Sequence, residues 1–422
     1  MEKFVISGGL NLSGKIRIKG AKNSILPILA GSLLTSERVE IKDVPDISDV
    51  KVMLKILECL GVRISWKEDL LILEPGSLYT SEIPETLMCE MRSSIFLMGP
   101  LLGRLGKVKV SYPGGCDIGP RPIDLHLKGL ASMGVKILEE NGCVQAEAKT
   151  LRGSDIHLDF PSVGATENIM MAAIYAEGST LIHNAAKEPE IIDLQNFLNK
   201  MGAKIKGAGT DTIKIEGVKS LNDVNYTLIP DRIVAGTLVI AAAITRGELI
   251  LENVIPEHLE AVTAKLQEAG VEIWEEQDTL HVRGGNIKAI QSVRTLPYPG
   301  FPTDMQAQTM SLLTLAKGNS TIIENVFDGR FSQVGELKKM GARISVQGRS
   351  AIIQGVDQLK GAVVNAPDLR AGAALVLAGL SAQGQTIIKE IHHIDRGYEK
   401  FEEILQQLGA NIKRVGAQDE NF

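Results

Sequence analysis

One unit of about 70 residues is repeated six times in this chain of 422 residues, and no other feature constrains the fold as strongly. Every copy carries the same tag: a hydrophobic residue or alanine, then glycine, a small apolar residue, any residue and isoleucine, as in LGVRI at 60–64. The tag glycines lie 68 to 73 residues apart, at Gly61, Gly134, Gly202, Gly270, Gly341 and Gly409. A constant period of this length indicates a fold assembled from repeated supersecondary units.

Two kinds of helix are predicted in every unit. The tag ends an amphipathic helix, for which the glycine is the expected C-cap, and leads into a strand. The other helix is almost entirely small and apolar, and a helix that is apolar on all sides is buried on all sides. Its six copies lie at 22–34, 91–103, 164–176, 231–243, 302–316 and 368–380. Glycine-led stretches such as GELILENV (247–254) and the alternating stretches after each tag are typical of strands.

The repeat therefore predicts an α/β fold of two domains, each an inside-out α/β barrel of three units in which buried helices are surrounded by sheets. A chain of this length also exceeds what a single hydrophobic core supports. We expect one domain at 21–229 and a second formed by 1–20 together with 230–422. The strands of the first 20 residues precede the first buried helix, so they are expected to complete the sixth unit. The active site is expected in the cleft between the two domains.

Composition disfavours several classes of protein. A net charge of −6 with interspersed signs and an aromatic content of 4% argue against a nucleic-acid-binding face. No apolar stretch reaches the ~20 residues of a membrane span, and the N-terminus lacks the apolar region of a signal peptide. We therefore expect a cytoplasmic protein that does not insert into membranes. The four cysteines and seven histidines show no metal-ligand spacing, so neither a metal nor another cofactor is expected.

Polar and charged residues interrupt the apolar helices at equivalent places, near the start of each one. They are Lys22 with Asn23, Arg92, Thr166 with Glu167, Arg232, Asp304 and Arg370, and the amphipathic helices add Arg121, Arg330 and Arg396. Helix N-termini attract anions, and the added bases predict a cationic pocket for a phosphate-bearing small molecule. The alternative is that these bases are helix-end charges paired with Asp231, Asp368 and Glu167.

The second unit contains a longer connection than the others, at about 111–122, where prolines and glycines surround Cys116. Such a segment is expected to be a mobile lid, and neighbouring arginines would favour the thiolate of an exposed cysteine. The remaining cysteines lie beside apolar residues and are interpreted as structural, as is His126; they are Cys59, Cys89 and Cys143. The pair His392–His393 is compatible with either role.

Asp304 is the second exception to the repeat, because most other units have a base or an amide at this place. A carboxylate binds phosphate poorly, but in a positively charged pocket it is a reasonable general base. The alternative interpretation of Asp304 is an N-cap for the helix that follows.

Nine motifs spread along the chain resemble those of the UDP-N-acetylglucosamine enolpyruvyl transferase family, which opens peptidoglycan synthesis. They are GAKNSILP (20–27), MRSSI (91–95), GGCDIGPRPIDLH (114–126), SVGATENIM (162–170), PDRIVAGT (230–237), FPTDMQAQ (301–308), GRFSQV (329–334), DLRAGAALVLAGL (368–380) and HIDRGYE (393–399). The resemblance implies transfer of the enolpyruvyl group of phosphoenolpyruvate to the sugar 3′-hydroxyl, with release of phosphate. It further implies a tetrahedral intermediate, formed by addition and lost by elimination, and no metal.

The resemblance also assigns roles to residues. Cys116 is implicated in protonating the enolpyruvyl methylene and in product release, and Asp304 is the expected base toward the 3′-hydroxyl. The expected phosphate ligands are Lys22, Arg121 and Arg396. Arg330 and Arg370 would hold the carboxylate or the intermediate, and Arg92, Arg232 and Asn23 would shape the cleft, with Asn23 also touching the sugar. The nucleotide-sugar is expected to contact Arg121, Pro122, Ile123, Asp124, Leu125, Ser162, Val163, Gly164 and Val326.

Ser48 stands where some family members have a lysine that reaches the phosphate region, so a phosphate contact is not expected from this position. Because Cys116 is retained, the epoxide fosfomycin is expected to alkylate it. Two other hypotheses remain at this point. One is an enolpyruvyl transferase of the same fold that acts on shikimate 3-phosphate. The other is a non-catalytic repeat scaffold that binds a nucleotide-sugar.

Overall fold

A computed structural model describes residues 2–112, 123–140, 142–328 and 330–416 of the chain. The predictions made for Cys116, Arg121 and Pro122, and for most of the expected lid at 111–122, lie outside the described residues. Those residues form two compact units. Unit 1 comprises residues 2–19 and 230–416, and unit 2 comprises residues 20–112 and 123–229.

The strands follow one another in regular groups along the chain. They are β1 (Lys3–Ser7), β2 (Ser13–Arg17), β3 (Val39–Lys42), β4 (Arg63–Lys67), β5 (Leu70–Glu74), β6 (Lys107–Ser111), β7 (Lys136–Glu140), β8 (Cys143–Glu147), β9 (Asp155–His157), β10 (Ser179–His183), β11 (Lys204–Lys206), β12 (Thr212–Glu216), β13 (Val224–Thr227), β14 (Glu248–Glu252), β15 (Glu272–Glu276), β16 (Thr279–Arg283), β17 (Val293–Arg294), β18 (Asn319–Ile323), β19 (Arg343–Gln347), β20 (Ser350–Gln354), β21 (Val363–Asn365), β22 (Gln385–Lys389) and β23 (Asn411–Val415).

The helices lie between groups of these strands. They are α1 (Lys22–Gly31), α2 (Ser48–Leu60), α3 (Glu85–Glu90), α4 (Met98–Leu105), α5 (Asp124–Ser132), α6 (Val163–Ala173), α7 (Pro189–Lys200), α8 (Arg232–Thr245), α9 (Glu260–Glu268), α10 (Gln306–Leu313), α11 (Gln333–Lys339), α12 (Leu369–Ser381) and α13 (Phe401–Gln407). Short 3₁₀ segments at Arg92–Leu97 and Thr303–Met305 precede α4 and α10. Within the described ranges, no helix is long and apolar enough to cross a membrane.

Small sheets of three or four strands repeat through both units. Unit 1 contains the sheets β21-β22-β1-β23, β15-β16-β14-β2 and β17-β18-β20-β19, and each combines two antiparallel pairings with one parallel pairing. Unit 2 contains β11-β12-β10-β9, β13-β3-β5-β4 and the three-stranded sheet β6-β8-β7. Beside the three-stranded sheet, Glu82 forms a single parallel bridge with Lys109.

The two N-terminal strands do not join the same sheet. β1 pairs with β22 and β23, which belong to the sixth repeat. β2 instead runs parallel to β14 of the fourth repeat, with Ser13 opposite Glu248. The prediction that both strands complete the sixth unit is therefore wrong for β2. The connection between β1 and β2 changes sheets, and strand composition alone carries no information on the choice of partner.

The apolar helices form the cores of the units, as predicted. Every residue of α12 from Leu369 to Leu380 is buried, and α12 packs against α8 and α10 within unit 1. In unit 2, α4 packs against α6. By contrast, α2 buries one face, which includes Val50, Met53 and Leu57. The fold is thus an α/β repeat in which buried helices are surrounded by small sheets.

The six tag glycines have the conformation that the C-cap prediction requires. Their φ angles lie between 88° and 108°, in the left-handed region that side-chain-bearing residues disfavour. At Gly61, a Cβ atom would also lie 2.5 Å from the carbonyl oxygen of Ser77.

Two cysteines do not pack as the sequence suggested. Cys59 and Cys89 are exposed, and Cys143 is partly buried. The structural interpretation is therefore wrong for Cys59 and Cys89. Cys59 lies among the apolar residues of α2 in sequence, but the helix turns it away from the face that Ile56, Leu57 and Leu60 bury.

Candidate active site

The described site residues are divided between the two units. Unit 1 contains Arg232, Asp304, Val326, Arg330, Arg370 and Arg396, and unit 2 contains Lys22, Asn23, Arg92, Ile123, Asp124, Leu125, Ser162, Val163 and Gly164. Among the residues that the structure describes, no three His, Cys, Asp or Glu side chains are grouped so as to hold a metal ion.

Asp304 lies between two arginines in unit 1. Arg330 donates from Nη2 to Asp304 Oδ1 at 2.7 Å, and Arg370 donates from Nη2 to Asp304 Oδ2 at 2.8 Å. The two guanidinium groups are almost fully buried, whereas about a quarter of the Asp304 side chain is exposed (24%). Part of the Asp304 side chain therefore remains exposed.

The charges of this cluster stabilise one another. Burial alone would raise the pKa of Asp304, but Arg370 and Arg330 hold it well below its usual range. Burial alone would lower the pKa of Arg370, but the facing carboxylate outweighs this effect and raises it. Asp304 is therefore ionised at neutral pH.

Asp304 and Arg370 both lie near the start of a helix. Asp304 belongs to the 3₁₀ segment before α10, and no side chain caps either helical segment there, so the N-cap interpretation of Asp304 is wrong. Arg370 follows the N-cap of α12, where Asp368 accepts hydrogen bonds from the Arg370 and Ala371 amides at 2.9 and 3.0 Å. The predicted alternative pairing of Arg370 with Asp368 is thus replaced by the pairing with Asp304.

Tyr398 supports Arg370 from the protein interior. Its ring lies 5.7 Å from the guanidinium carbon, and its hydroxyl lies 3.5 Å from Arg370 Nη1. The same hydroxyl lies 2.9 Å from Thr237 Oγ1 and 3.3 Å from Gln308 Nε2. This buried network fixes one side of the guanidinium and leaves Nη2 directed at Asp304. The sequence analysis missed Tyr398.

Arg232 lies at the start of α8, after the N-cap Asp231, which accepts from the amides of Ile233 and Val234. Its guanidinium carbon lies 5.8 Å from the centre of the Tyr298 ring. A small open pocket adjoins it and is lined also by His258, Tyr298 and Pro299. Asp304 is not among the residues that line this pocket.

Arg396 ends the 3₁₀ segment Ile391–Arg396. The neighbouring Asp395 accepts two hydrogen bonds from Arg414, at 2.6 and 3.0 Å, which anchor this segment to β23. The centres of the His393 and His392 rings lie 4.1 Å apart, with the ring planes tilted by 38°. Partial burial and the nearby His392 and Arg396 lower the pKa of His393. His393 is therefore mostly neutral at pH 7, beside a cation.

Lys22 begins α1 in unit 2 and forms a buried ion pair. Its Nζ lies 2.7 Å from Asp49 Oδ2 in the first turn of α2, and the two side chains are only 9% and 4% exposed. The ammonium has three donors, and one of them faces Asp49. Asn23, the next residue, is partly buried. The sequence analysis missed Asp49, because an acidic residue in the first turn of a helix is ordinary.

We expect Lys22→Met to lower the free energy of unfolding of unit 2 by about 3–5 kcal/mol, because Asp49 stays buried without this cation. Lys51→Met is the matched control: Lys51 Nζ also lies 2.7 Å from a carboxylate, that of Asp46, but both side chains are more than half exposed. Exposed pairs contribute only about 0.2–1 kcal/mol. Denaturation followed by Trp66 fluorescence, in a Trp274→Phe background, reports the unfolding of unit 2. Equal losses of unfolding free energy in Lys22→Met and Lys51→Met would contradict the role of burial.

Arg92 and His126 lie near each other in unit 2. Burial, followed by the charge of Arg92, lowers the pKa of His126 to about 4, so the imidazole is neutral at pH 7. Asn168 Nδ2 donates to His126 Nδ1 at 3.1 Å and to the Ile95 carbonyl at 3.0 Å, while its Oδ1 accepts from the Gly99 amide at 2.6 Å. His126 is thus held inside the packing of α5 and α6, as the structural interpretation requires.

The segment Ser162–Gly164 opens α6. Ser162 is the N-cap, and its Oγ accepts from the Ala165 amide at 3.3 Å. A Cβ on Gly164 would lie 3.0 Å from the Phe96 ring and 3.1 Å from the His126 ring, so a larger residue here would push these rings away by a few tenths of an ångström. Ile123 and Asp124 stand at the start of α5, with Leu125 in its first turn.

Glu167 differs from the other polar residues near helix starts. It is fully buried in α6, and among the described residues neither carboxyl oxygen has a hydrogen-bond partner. Burial, with Glu190 and Glu188 nearby, raises its pKa well above the usual range. The alternative interpretation pairs a base at a helix start with Glu167. A Glu167 side chain that is buried, unpaired among the described residues and uncharged does not provide that negative charge.

Comparison with known proteins extends over nearly the whole chain. A family model described as EPSP synthase (3-phosphoshikimate 1-carboxyvinyltransferase) matches residues 6–405. The chain is 57% identical to UDP-N-acetylglucosamine 1-carboxyvinyltransferase 1 of Caldanaerobacter subterraneus subsp. tengcongensis, over 98% of this chain and 99% of the relative. It is 56% identical to UDP-N-acetylglucosamine 1-carboxyvinyltransferase 2 of Carboxydothermus hydrogenoformans, over 98% and 100%. The crystal structure of the enolpyruvyl transferase NikO from Streptomyces tendae matches with a TM-score of 0.87 at 27% identity, over 98% and 99% of the two chains.

Proposed function

The chain belongs to the EPSP synthase family of enolpyruvyl transferases, and on this premise we propose that it transfers the enolpyruvyl group of phosphoenolpyruvate to the 3′-hydroxyl of UDP-N-acetylglucosamine, releasing phosphate. The observation that carries the choice of acceptor is the identity of 56–57% to two carboxyvinyltransferases named for that nucleotide-sugar, over 98% of this chain. The reaction opens peptidoglycan synthesis, and we place it in the cytoplasm.

The chemistry needs fixed positive charge. The 3′-hydroxyl oxygen adds to C2 of phosphoenolpyruvate while C3 gains a proton, which gives a tetrahedral intermediate that retains the phosphate and the carboxylate. Loss of the C3 proton and departure of phosphate then leave the enolpyruvyl ether. Both steps build positive character at C2 beside two anionic groups, so preorganised cations must hold those groups.

The cluster around Asp304 supports a role for unit 1 in this reaction. The guanidinium groups of Arg330 and Arg370 are already held in position, and each suits a carboxylate because it presents several donors in a fixed plane. Asp304, ionised and partly exposed, is available to accept the 3′-hydroxyl proton. Its low pKa makes it a weak base in this arrangement. We propose that a bound carboxylate draws one arginine away and thereby raises the basicity of Asp304.

The cations Lys22 and Arg396, together with Arg121 outside the described residues, are proposed phosphate ligands. Arg92, Arg232 and Asn23 would complete the charged surroundings, with Asn23 touching the sugar. The proposed contacts to the nucleotide-sugar are Arg121, Pro122, Ile123, Asp124, Leu125, Ser162, Val163, Gly164 and Val326. Cys116 is the proposed acid for C3 and the proposed target of fosfomycin.

An acceptor-exchange assay tests the function. Phosphate release from phosphoenolpyruvate is expected only when UDP-N-acetylglucosamine is also present, with kcat/KM at least about 10³-fold above that for shikimate 3-phosphate, because a site built to bind polar groups rejects an acceptor that leaves them unpaired. Each substrate alone is the control. Turnover with shikimate 3-phosphate in place of the nucleotide-sugar would identify the wrong acceptor, and no turnover with either would favour the non-catalytic scaffold.

A further inference from the structure

We propose that Glu324 and Thr303 form a positioning pair that holds the Arg330 guanidinium and the Val326–Phe327 backbone in one arrangement. The interpretation of Arg330 and Val326 as substrate contacts rests on the proposed function. The positioning itself rests on hydrogen bonds within unit 1.

Glu324 is a buried carboxylate whose contacts come from two directions. It follows β18 directly and is 1% exposed. Its Oε1 accepts from Thr295 Oγ1 at 2.7 Å and from the backbone amides of Val326 and Phe327 at 2.9 and 3.1 Å. Its Oε2 accepts from Thr303 Oγ1 at 2.9 Å. Burying a carboxylate is costly unless donors replace its water, and these four donors do so.

Thr303 transmits the position of Glu324 to Arg330. A hydroxyl has a single hydrogen, and Thr303 donates it to Glu324, so the lone pairs of Oγ1 are left for other donors. Arg330 Nη1 donates to this oxygen at 2.8 Å, while its Nη2 binds Asp304 at 2.7 Å. Two of the guanidinium nitrogens are therefore held, one by the reacting carboxylate and the other by a relay that ends at Glu324.

Phe327 closes the arrangement. Its amide binds Glu324, and its ring lies 5.3 Å from the guanidinium carbon of Arg330. The turn after β18 and the Arg330 side chain therefore depend on the same carboxylate. Movement of Glu324 would displace the Val326 backbone and Arg330 together, whereas loss of the Thr303 hydroxyl would release Arg330 alone.

This difference defines the test. Thr303→Val is expected to raise KM for phosphoenolpyruvate by about 10-fold or more, because the variant loses a hydrogen bond to a charged group. The affinity for UDP-N-acetylglucosamine should stay within twofold of the wild type. Thr303→Ser restores the hydroxyl and is expected to recover most of the loss. Glu324→Gln is expected to weaken both substrates. Thr321→Val, on β18 and partly buried, is the matched control and should change neither.

An independent readout separates this inference from the proposed function. In protein carrying ¹⁵N-labelled arginine, the guanidinium protons of Arg330, assigned with Arg330→Lys, should exchange slowly in the wild type and in Thr303→Ser, and rapidly in Thr303→Val. If the wild type turns over neither acceptor, the proposed function fails. The exchange rates would still show whether Thr303 holds the Arg330 guanidinium in place. Unchanged exchange in Thr303→Val, or equal effects of Thr303→Val on both substrates, would overturn the positioning pair. Melting temperatures close to wild type establish that each variant is folded.

Discussion

Asp304→Asn is expected to lower kcat by about 10²–10⁴-fold, the range that a positioned general base contributes. The amide keeps the size of the side chain but cannot take the 3′-hydroxyl proton, and its NH₂ group faces one of two arginines that each require an acceptor. Binding of UDP-N-acetylglucosamine, measured by calorimetry, should change much less than kcat. Asp357→Asn, at an exposed position of the same unit, is the matched control and should retain full activity.

The pH dependence provides a second check on Asp304. Because its pKa in the folded protein is held well below the usual 3.8, Asp304 stays ionised as the pH falls through that value. The acid limb of kcat/KM, which reports the free enzyme, should therefore not arise from this residue above about pH 4. A loss of kcat smaller than tenfold in Asp304→Asn, or an acid limb that disappears in the variant, would rule out the assignment of Asp304 as an ionised base.

Fosfomycin is expected to add once to the wild-type chain and not at all to Cys116→Ser. The arginines proposed for the site would favour the Cys116 thiolate, which is the nucleophile that opens an epoxide. Intact-mass measurement distinguishes a single adduct from none, and activity should fall in proportion to the adduct formed.

The other cysteines are internal controls for this experiment. Cys59 and Cys89 are exposed, so if exposure of a thiol were sufficient, more than one adduct would form. Cys59→Ser and Cys89→Ser should both retain the single adduct. An adduct that persists in Cys116→Ser, or a wild-type chain that is never modified, would remove Cys116 from the proposed mechanism.

Much of the fold was predictable because its signals are local. A glycine after an amphipathic helix predicts a left-handed C-cap wherever it occurs, and all six tag glycines have it. A helix without a polar face has no stable place except the interior, and α12 is buried along nearly its whole length. The motif resemblance likewise indicated the family, since short patterns at separate places agreed on one reaction.

The partners of the charges were not predictable in the same way. The sequence offers Asp368 as a nearby partner for Arg370. In the structure Arg370 binds Asp304, which is distant in sequence, while Asp368 caps the helix that contains Arg370. Lys22 binds Asp49 across two helices, and no periodicity marks that carboxylate. Tyr398 and Glu324 resemble ordinary residues near the ends of elements, and only their contacts reveal them as supports for arginines.

By itself, the sequence determined the sixfold repeat, the buried helices and the residue types at their starts, because backbone conformation and solvent exposure depend on neighbours within a few turns. The tertiary structure decided which of the described charges neutralise one another, which cysteines are exposed and which sheet β2 joins. Electrostatic energy depends on the distance between atoms rather than on separation along the chain. For this reason, the repeat supplies many equivalent arginines, whereas the fold selects the two that hold Asp304.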